Sequence, residues 1–446
     1  MTTTYLLGIT RCMIDGLAIL NEREARDAKA TVAEIDRALS SEQVLEAIVA
    51  GLPPEVVDRY RHALALQRAD LEAQLDAYEA AKGGDYSQLK RCVGDDPGVA
   101  LIVARIAHRY SQRELARRLG LKEQQIQRYE ADRYRSISLS NYRRIAHVLG
   151  VRWEMKLSAG AISWPGSGWE ASTEINASVV RKIIKHAKDK HWFDDDVARF
   201  DEDESDNYLR RYITDHIINY GTPTLLRTGL NVEHRVDDLL LLAWKSRVTR
   251  IAEHIIKNNK IRNLGLRITW LRDLVCLSTY DDGPARARGL LAAQGIILVA
   301  EPQIPGLQLD GAAFLLGDTP VIGMTLRRDT IDNFWFTLLH EIAHVILHYK
   351  IDLRSGFFDD IDNPNVDELE KEANDFASNL LISNERWLRS PARIAKSADT
   401  IENLAKELGV HPAIVFGRVQ KERRDYTIFA NKIGRGSVRK WLVGQQ

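Results

Sequence analysis

Apolar residues recur at three- and four-residue spacing over most of the chain, which predicts a largely helical protein. The spacing runs through Val32-Ala33-Glu34-Ile35 and Leu45-Glu46-Ala47-Ile48, then from Leu64 to Tyr78. Pro53-Pro54 starts the last of these helices and Gly83-Gly84 stops it, so residues 1–97 read as a helical hairpin or short coiled coil. Between 98 and 156 two short helices follow. Leu115, Ala116 and Leu119 give one a buried face, Gly120 turns the chain, and Ile126 and Tyr129 anchor the second. Ser111 with Glu114 three residues on makes a capping box for the first. Residues 157–170, with Gly160, Pro165, Gly166 and Gly168, read as a linker. Residues 157–263 form a helical middle region, with Val179 to Ile184 and Val236 to Trp244 as helices and the acidic run Asp194 to Asp206 between them.

The period then changes. Ile296 to Ala300, Ala312 to Leu316 and Val321 to Leu326 read as three strands, the last two joined by Gly317-Asp318-Thr319-Pro320. Phe334 to His348 returns to the pattern of a buried helix, and Ala373, Phe376, Ala377 and Leu380 mark the core face of another. Helices continue over 384–422, and 426–446 reads as a basic tail. The fold class expected is multidomain and mainly α: an all-α helix-turn-helix domain, 98–156, and an α+β zincin-like domain, 264–425, with a small antiparallel sheet. Val321 to Leu326 is the expected edge strand, where an extended peptide could add itself to the sheet.

Composition narrows this little. With 62 basic and 62 acidic residues in 446, the chain is no uniform polyanion binder. Leu101 to Lys156 nonetheless carries thirteen basic residues against five acidic. Three dispersed cysteines give no disulfide framework and no cysteine metal knuckle. No signal peptide and no apolar run of about 18 residues is present, so a cytoplasmic protein without membrane contact is expected.

Chemistry concentrates in His340-Glu341-Ile342-Ala343-His344. Histidines four apart on a helix share one face and can converge on one cation, here expected to be a single zinc, with Glu341 beside them as general base. Leu347 and Lys350 exclude the longer pattern in which a third histidine follows a glycine. Glu372, at the edge of the Ala373 face, is the expected third ligand, with Glu368 and Glu370 as alternatives. His348 and Tyr349 are candidates to steady an oxyanion.

Two family resemblances follow from these residues. Phe336-Thr337-Leu338-x-His340-Glu341-x-x-His344-x-x-Leu347-His348, with Asp310-Gly311-Ala312 and Glu372-Ala373-Asn374-x-Phe376-Ala377-x-x-Leu380-Leu381, resembles the ImmA/IrrE metallopeptidases over about 264–420. The resemblance implies zinc on His340, His344 and Glu372. Ser111 to Glu130 resembles the Cro/cI-type helix-turn-helix, with Lys122 where a capping Ser or Thr is usual and Asp132 where Gly is usual. It implies that Gln112 holds a phosphate and that Glu123, Gln124, Gln125, Gln127 and Arg128 face DNA. Together they imply a zinc peptidase joined to a DNA-binding module, acting by limited proteolysis of a repressor or similar regulator, in a setting of stress response, mobile elements or toxin–antitoxin pairs. Its expected partners are DNA, the protein substrate, a cognate toxin and a second copy in a homodimer. The rival reading is a DNA-binding antitoxin or repressor whose zinc domain is a scaffold or sensor without proteolysis.

Overall fold

The structure, a computed structural model, describes residues 19–91, 96–134, 137–152, 177–192, 204–205, 207–209, 211–213, 216, 236–259, 261, 264–348 and 365–443. The expected linker at 157–170, most of the acidic run at 194–206, and Tyr349 lie outside them. The chain divides into two compact units, Met1–Leu45 with Arg61–Ile162, and Glu46–Tyr60 with Ser163–Gln446.

In the first unit α1 (Glu22–Ser40) starts at Asn21, whose side chain accepts from the Glu24 N–H. The chain continues through α2 (Glu42–Val49) into α3 (Pro54–Gly83). Lys29 pairs with Glu79 at 2.9 Å and Arg68 pairs with Asp36, so α1 and the later part of α3 run antiparallel as a helical hairpin. A short helix, Ser87–Arg91, and four longer ones follow: α4 (Pro97–Ala107), α5 (Gln112–Leu119), α6 (Glu123–Ala131) and α7 (Leu139–Val148). Ser111 accepts from the Glu114 N–H at 3.0 Å, and Gly120 ends α5 at φ 66°, a conformation that glycine adopts without steric cost. Leu101, Leu115, Leu119, Ile126 and Ile145 close the core.

In the second unit the helices before the sheet are α8 (Ala177–Asp189), α9 (Val236–Asn258), α10 (Trp270–Cys276) and α11 (Gly283–Ala293). The strands are β1 (Ile297–Ala300), β2 (Gly311–Leu316) and β3 (Thr319–Met324), in the order β1-β3-β2. β2 and β3 form an antiparallel hairpin, Ala313 opposite Ile322, while β1 pairs with β3 in parallel, Ile297 opposite Val321. The sheet is therefore mixed, not antiparallel as expected. All four β1 residues are buried, the continuous apolar run of a parallel strand. The expected edge strand is in fact the centre, and β2 takes the edge.

Beyond the sheet lie α12 (Ile331–Leu347), α13 (Asn365–Leu381), α14 (Asn384–Arg389), α15 (Ala398–Leu408), α16 (Pro412–Arg423) and the short α17 (Arg439–Leu442). α9 sets Trp244 and Val248 into one core with Val299, Phe314 and Val321, and α12 packs on β2, β3, α13 and α16. The segment expected as a basic tail is part of this unit as far as it is described. Ile331 N–H donates to Ile433 O, Gly436 N–H donates to Asp329 O, and Val438 and Leu442 are fully buried. The Asp329 carboxylate accepts from the Val438 and Arg439 N–H groups, both at 3.0 Å. Part of the expected N-terminal region also belongs here: Ile268 N–H donates to Ile48 O, and the Tyr60 hydroxyl donates to Leu266 O at 2.6 Å.

Candidate metal centre and DNA-facing helix

α12 is buried over nearly its whole length, with Leu338, Leu339, Ile342, Ala343 and Val345 at 0% exposure. That burial carries His340, Glu341, His344 and His348 inside with it. Polar groups so placed cost stability unless they find partners. The Nε2 atoms of His340 and His344 stand 3.1 Å apart, and the Glu370 carboxylate lies 3.3 Å from the first and 3.4 Å from the second. Two imidazoles and an acid thus form a triangle of donor atoms, all from buried residues.

The triangle fits a small divalent ion. Tetrahedral coordination at about 2.0–2.1 Å places ligand atoms about 3.3–3.4 Å apart, close to the three separations seen. Burial opposes charge on Glu370, yet the two imidazoles hold its pKa down to about 2. Burial likewise opposes charge on His340, but Glu370 and Glu341 outweigh it and raise that pKa, while His344 is lowered by burial to about 4. Negative charge is therefore favoured at the carboxylate, and one of the two imidazoles stays neutral with a lone pair to offer.

Glu370, not the expected Glu372, stands beside the histidines. The two acids flank the Ala373 face on opposite edges, about 160° apart around the axis. The Glu370 edge meets His340 and His344, and the Glu372 edge meets His348 at the end of α12. Glu372 serves one step out: its Oε2 lies 3.2 Å from His348 Nε2, and its Oε1 is 3.7 Å from Arg59, which also holds Asp375 at 2.7 Å. His348 Nδ1 in turn lies 3.2 Å from His344 Nδ1. One tautomer satisfies the whole chain: His344 donates from Nδ1 to His348, and His348 donates from Nε2 to Glu372. His344 Nε2 is then left free for an ion. Both nitrogens of His348, the oxyanion donor considered from sequence, are engaged inside, with His344 and Glu372.

Glu341 is the contrast. It is fully buried, and neither carboxylate oxygen has a hydrogen-bond partner among the described residues. Burial pushes its pKa up to about 8, with His340 and the Ala313 N–H pulling the other way from outside hydrogen-bonding geometry. Beside it, β2 opens with Gly311, where a Cβ would stand 2.9 Å from Glu341 Oε1 and 2.9 Å from Thr337 Cγ2. Asp310, one residue earlier, is gripped by Arg327 at 3.1 and 3.2 Å. Asn374 sits one helical turn from Glu370 and acts on the His340 ring, raising its pKa. The motifs in the sequence do not single out Asn374 as functional; its i+4 spacing from Glu370 is the one signal that points to it.

In the first unit, α6 shows solvent four of the five residues expected to face DNA: Glu123, Gln124, Gln127 and Arg128 are exposed. Gln125 is half-buried and its Oε1 accepts from the Lys122 N–H at 3.2 Å, half a capping box that Lys122 has no acceptor to complete. The Gln112 amide donates to Glu130 Oε2 at 2.8 Å. That carboxylate is also forked by Arg105 from the core side, at 2.5 and 2.9 Å. Gln112 is thus fixed at the start of α5 by a buried ion pair.

Comparison with known families agrees with both units. Residues 306–418 match the family model described as the IrrE N-terminal-like domain, and residues 101–155 match the one described as Helix-turn-helix. No curated protein and no solved structure gives a significant match. No helix among the described residues is long and apolar enough to cross a membrane.

Proposed function

We propose, for a chain that carries an IrrE N-terminal-like peptidase domain and a Cro/cI-type helix-turn-helix, that it is a zinc-dependent endopeptidase brought to DNA by its own reader. Its substrate in this reading is a transcriptional regulator, inactivated by limited cleavage. His340, His344 and Glu370 hold the ion, and Glu372, His348 and Arg59 orient His344 from behind. A divalent cation there supplies Lewis acidity to a peptide carbonyl and acidifies a water toward neutral pH. Glu341 takes the proton of the attacking water and returns it to the leaving amine. The edge of β2 that pairs with no strand among the described residues receives the substrate as an added strand, and Gly311 leaves room beside it for Glu341.

One observation carries the choice of enzyme over scaffold. A carboxylate with both oxygens buried and without hydrogen bonds destabilises a fold, by about 1–3 kcal/mol or more for a charged group. A purely structural ion site gains nothing from such a residue, whereas a general base requires it. With one helix-turn-helix per chain, a homodimer is the DNA-bound form this reading expects.

The test pairs metal analysis with cleavage of regulators encoded beside this gene. Wild type should bind about one zinc per chain and cut one of them. Glu341→Gln should bind the same zinc and cut none. A Glu341→Gln chain that still cleaves removes the mechanism.

A further inference from the structure

A cavity of about 530 Å³ adjoins the His340 side of the centre. Its buried lining joins the apolar Leu381, Ile382 and Ile414, with the half-buried Phe336, to Thr337 and His340, and its exposed lining is Arg328, Lys421, Glu422 and Tyr426. The acids there are already engaged. Asp310 is held by Arg327, and Glu422 accepts from Trp387 Nε1 at 2.7 Å and from Arg393 at 2.6 Å. Asp332 is largely buried, and burial raises its pKa.

The cations are not matched to them. Arg418 is committed to the carbonyls of Ser378 and Ile382, both at 3.1 Å, and to Asn384. Lys421 and Arg328 remain: among the described residues neither side chain has a hydrogen bond or a salt bridge, the acid that acts on Lys421 being Asp375, which Arg59 already holds at 2.7 Å, and the acid beside Arg328 being the buried Asp332. The Lys421 ammonium lies 4.6 Å from the centroid of the Phe336 ring, and that ring leans on the His340 imidazole, centroids 6.3 Å apart. Positive charge without a salt bridge of its own therefore stands one aromatic ring away from a proposed ligand, beside apolar side chains.

We propose that this cavity selects an acidic side chain, glutamate above all, next to the peptide bond that is cut, with Lys421 and Arg328 receiving its carboxylate. The inference rests on the peptidase reading above. Glutamate fits because its methylenes can cover Phe336 while its charge reaches the exposed rim. Aspartate is too short to do both. A basic side chain meets uncompensated like charge, and an apolar one leaves both cations as they were.

The experiment uses the full zinc-loaded chain and a set of alanine–glycine hexapeptides in which one Glu, Gln, Leu or Lys is walked through the positions. Binding is read by fluorescence anisotropy on Glu341→Gln, and cleavage on wild type. One position should favour Glu over Gln and Leu by about fivefold or more in Kd, less so at high salt. The Arg328→Ala, Lys421→Ala double variant should lose the preference with zinc content unchanged, and Lys421→Glu should turn it toward Lys. Equal binding of Glu, Gln and Leu at every position overturns the subsite. Wild type that cuts without regard to acid also overturns it, while leaving hydrolysis standing. A Glu preference in binding that Lys421→Glu reverses, with no cleavage by wild type, upholds the subsite and defeats the peptidase reading.

Discussion

Gly311 and Glu341 meet so closely that a single methyl group would not fit between them: a Cβ on the first would lie 2.9 Å from Oε1 of the second. The strand proposed to take up a substrate and the acid proposed to move the proton are thus positioned by one contact. Gly311→Ala should displace Glu341 or the strand by a fraction of an ångström. Cleavage is expected to fall about a hundredfold in kcat/KM, with bound zinc unchanged. Full activity in the alanine variant would show that the contact is incidental.

The two acids on α13 are separable by metal affinity. Glu370→Gln removes a proposed ligand, and stoichiometric zinc should be lost on dialysis. Glu372→Gln leaves the ligands and loosens only the support of His344, weakening zinc binding about ten- to a hundredfold. Competition with a chelating dye ranks them. The opposite ranking would restore Glu372 as the ligand and displace Glu370.

DNA reading should fail independently of hydrolysis. Gln124→Ala with Arg128→Ala removes two side chains exposed on α6 and is expected to weaken specific binding by about 1–3 kcal/mol for each base that goes unread. Anisotropy on fragments selected by wild type measures it. Unchanged affinity means that another surface reads the DNA. Glu130→Ala acts differently, because it strands the buried Arg105 guanidinium, and should destabilise the unit by about 3–5 kcal/mol.

Lys245 on α9 gives the fold a pH dependence of its own. It is fully enclosed, 5.0 Å from the Phe314 ring, and burial lowers its pKa to about 7 from the usual 10.5. Between those values the unfolded chain holds a proton that the folded one does not, so stability rises with pH, by up to about 1.4 kcal/mol per unit. Below about 7 both states are protonated and the contribution is flat. Urea denaturation from pH 7 to 9.5 should show the rise in wild type and not in Lys245→Met. Identical slopes would mean that the ammonium finds water in the folded state.

Both motifs were legible because each is local. His340 and His344 are one turn apart, and Ser111, Leu115, Gly120 and Ile126 define a helix, a turn and a helix within twenty residues. What was hidden depends on distant partners. A helical wheel shows that Glu370 and Glu372 flank the same apolar face, but not which edge meets the histidines. The strand pattern gives three strands, yet only the packing of β1 against β3 makes β3 the centre. Arg59 could not be linked to Glu372 from a spacing of more than three hundred positions. The charge of residues 426–446 suggests a basic tail, whereas Val438 and Leu442, two of its apolar members, are buried and anchor it.

That anchoring ties the far end of the described chain to the first turn of α12. Asp329 and Ile331 clasp the stretch from Ile433 to Arg439, so the helix that bears the histidines is latched at its root by residues more than a hundred positions downstream. Trimming this stretch, or cleavage within it by another protease, would slacken the latch without touching a ligand. The segment after α16 thus helps to set where α12 begins.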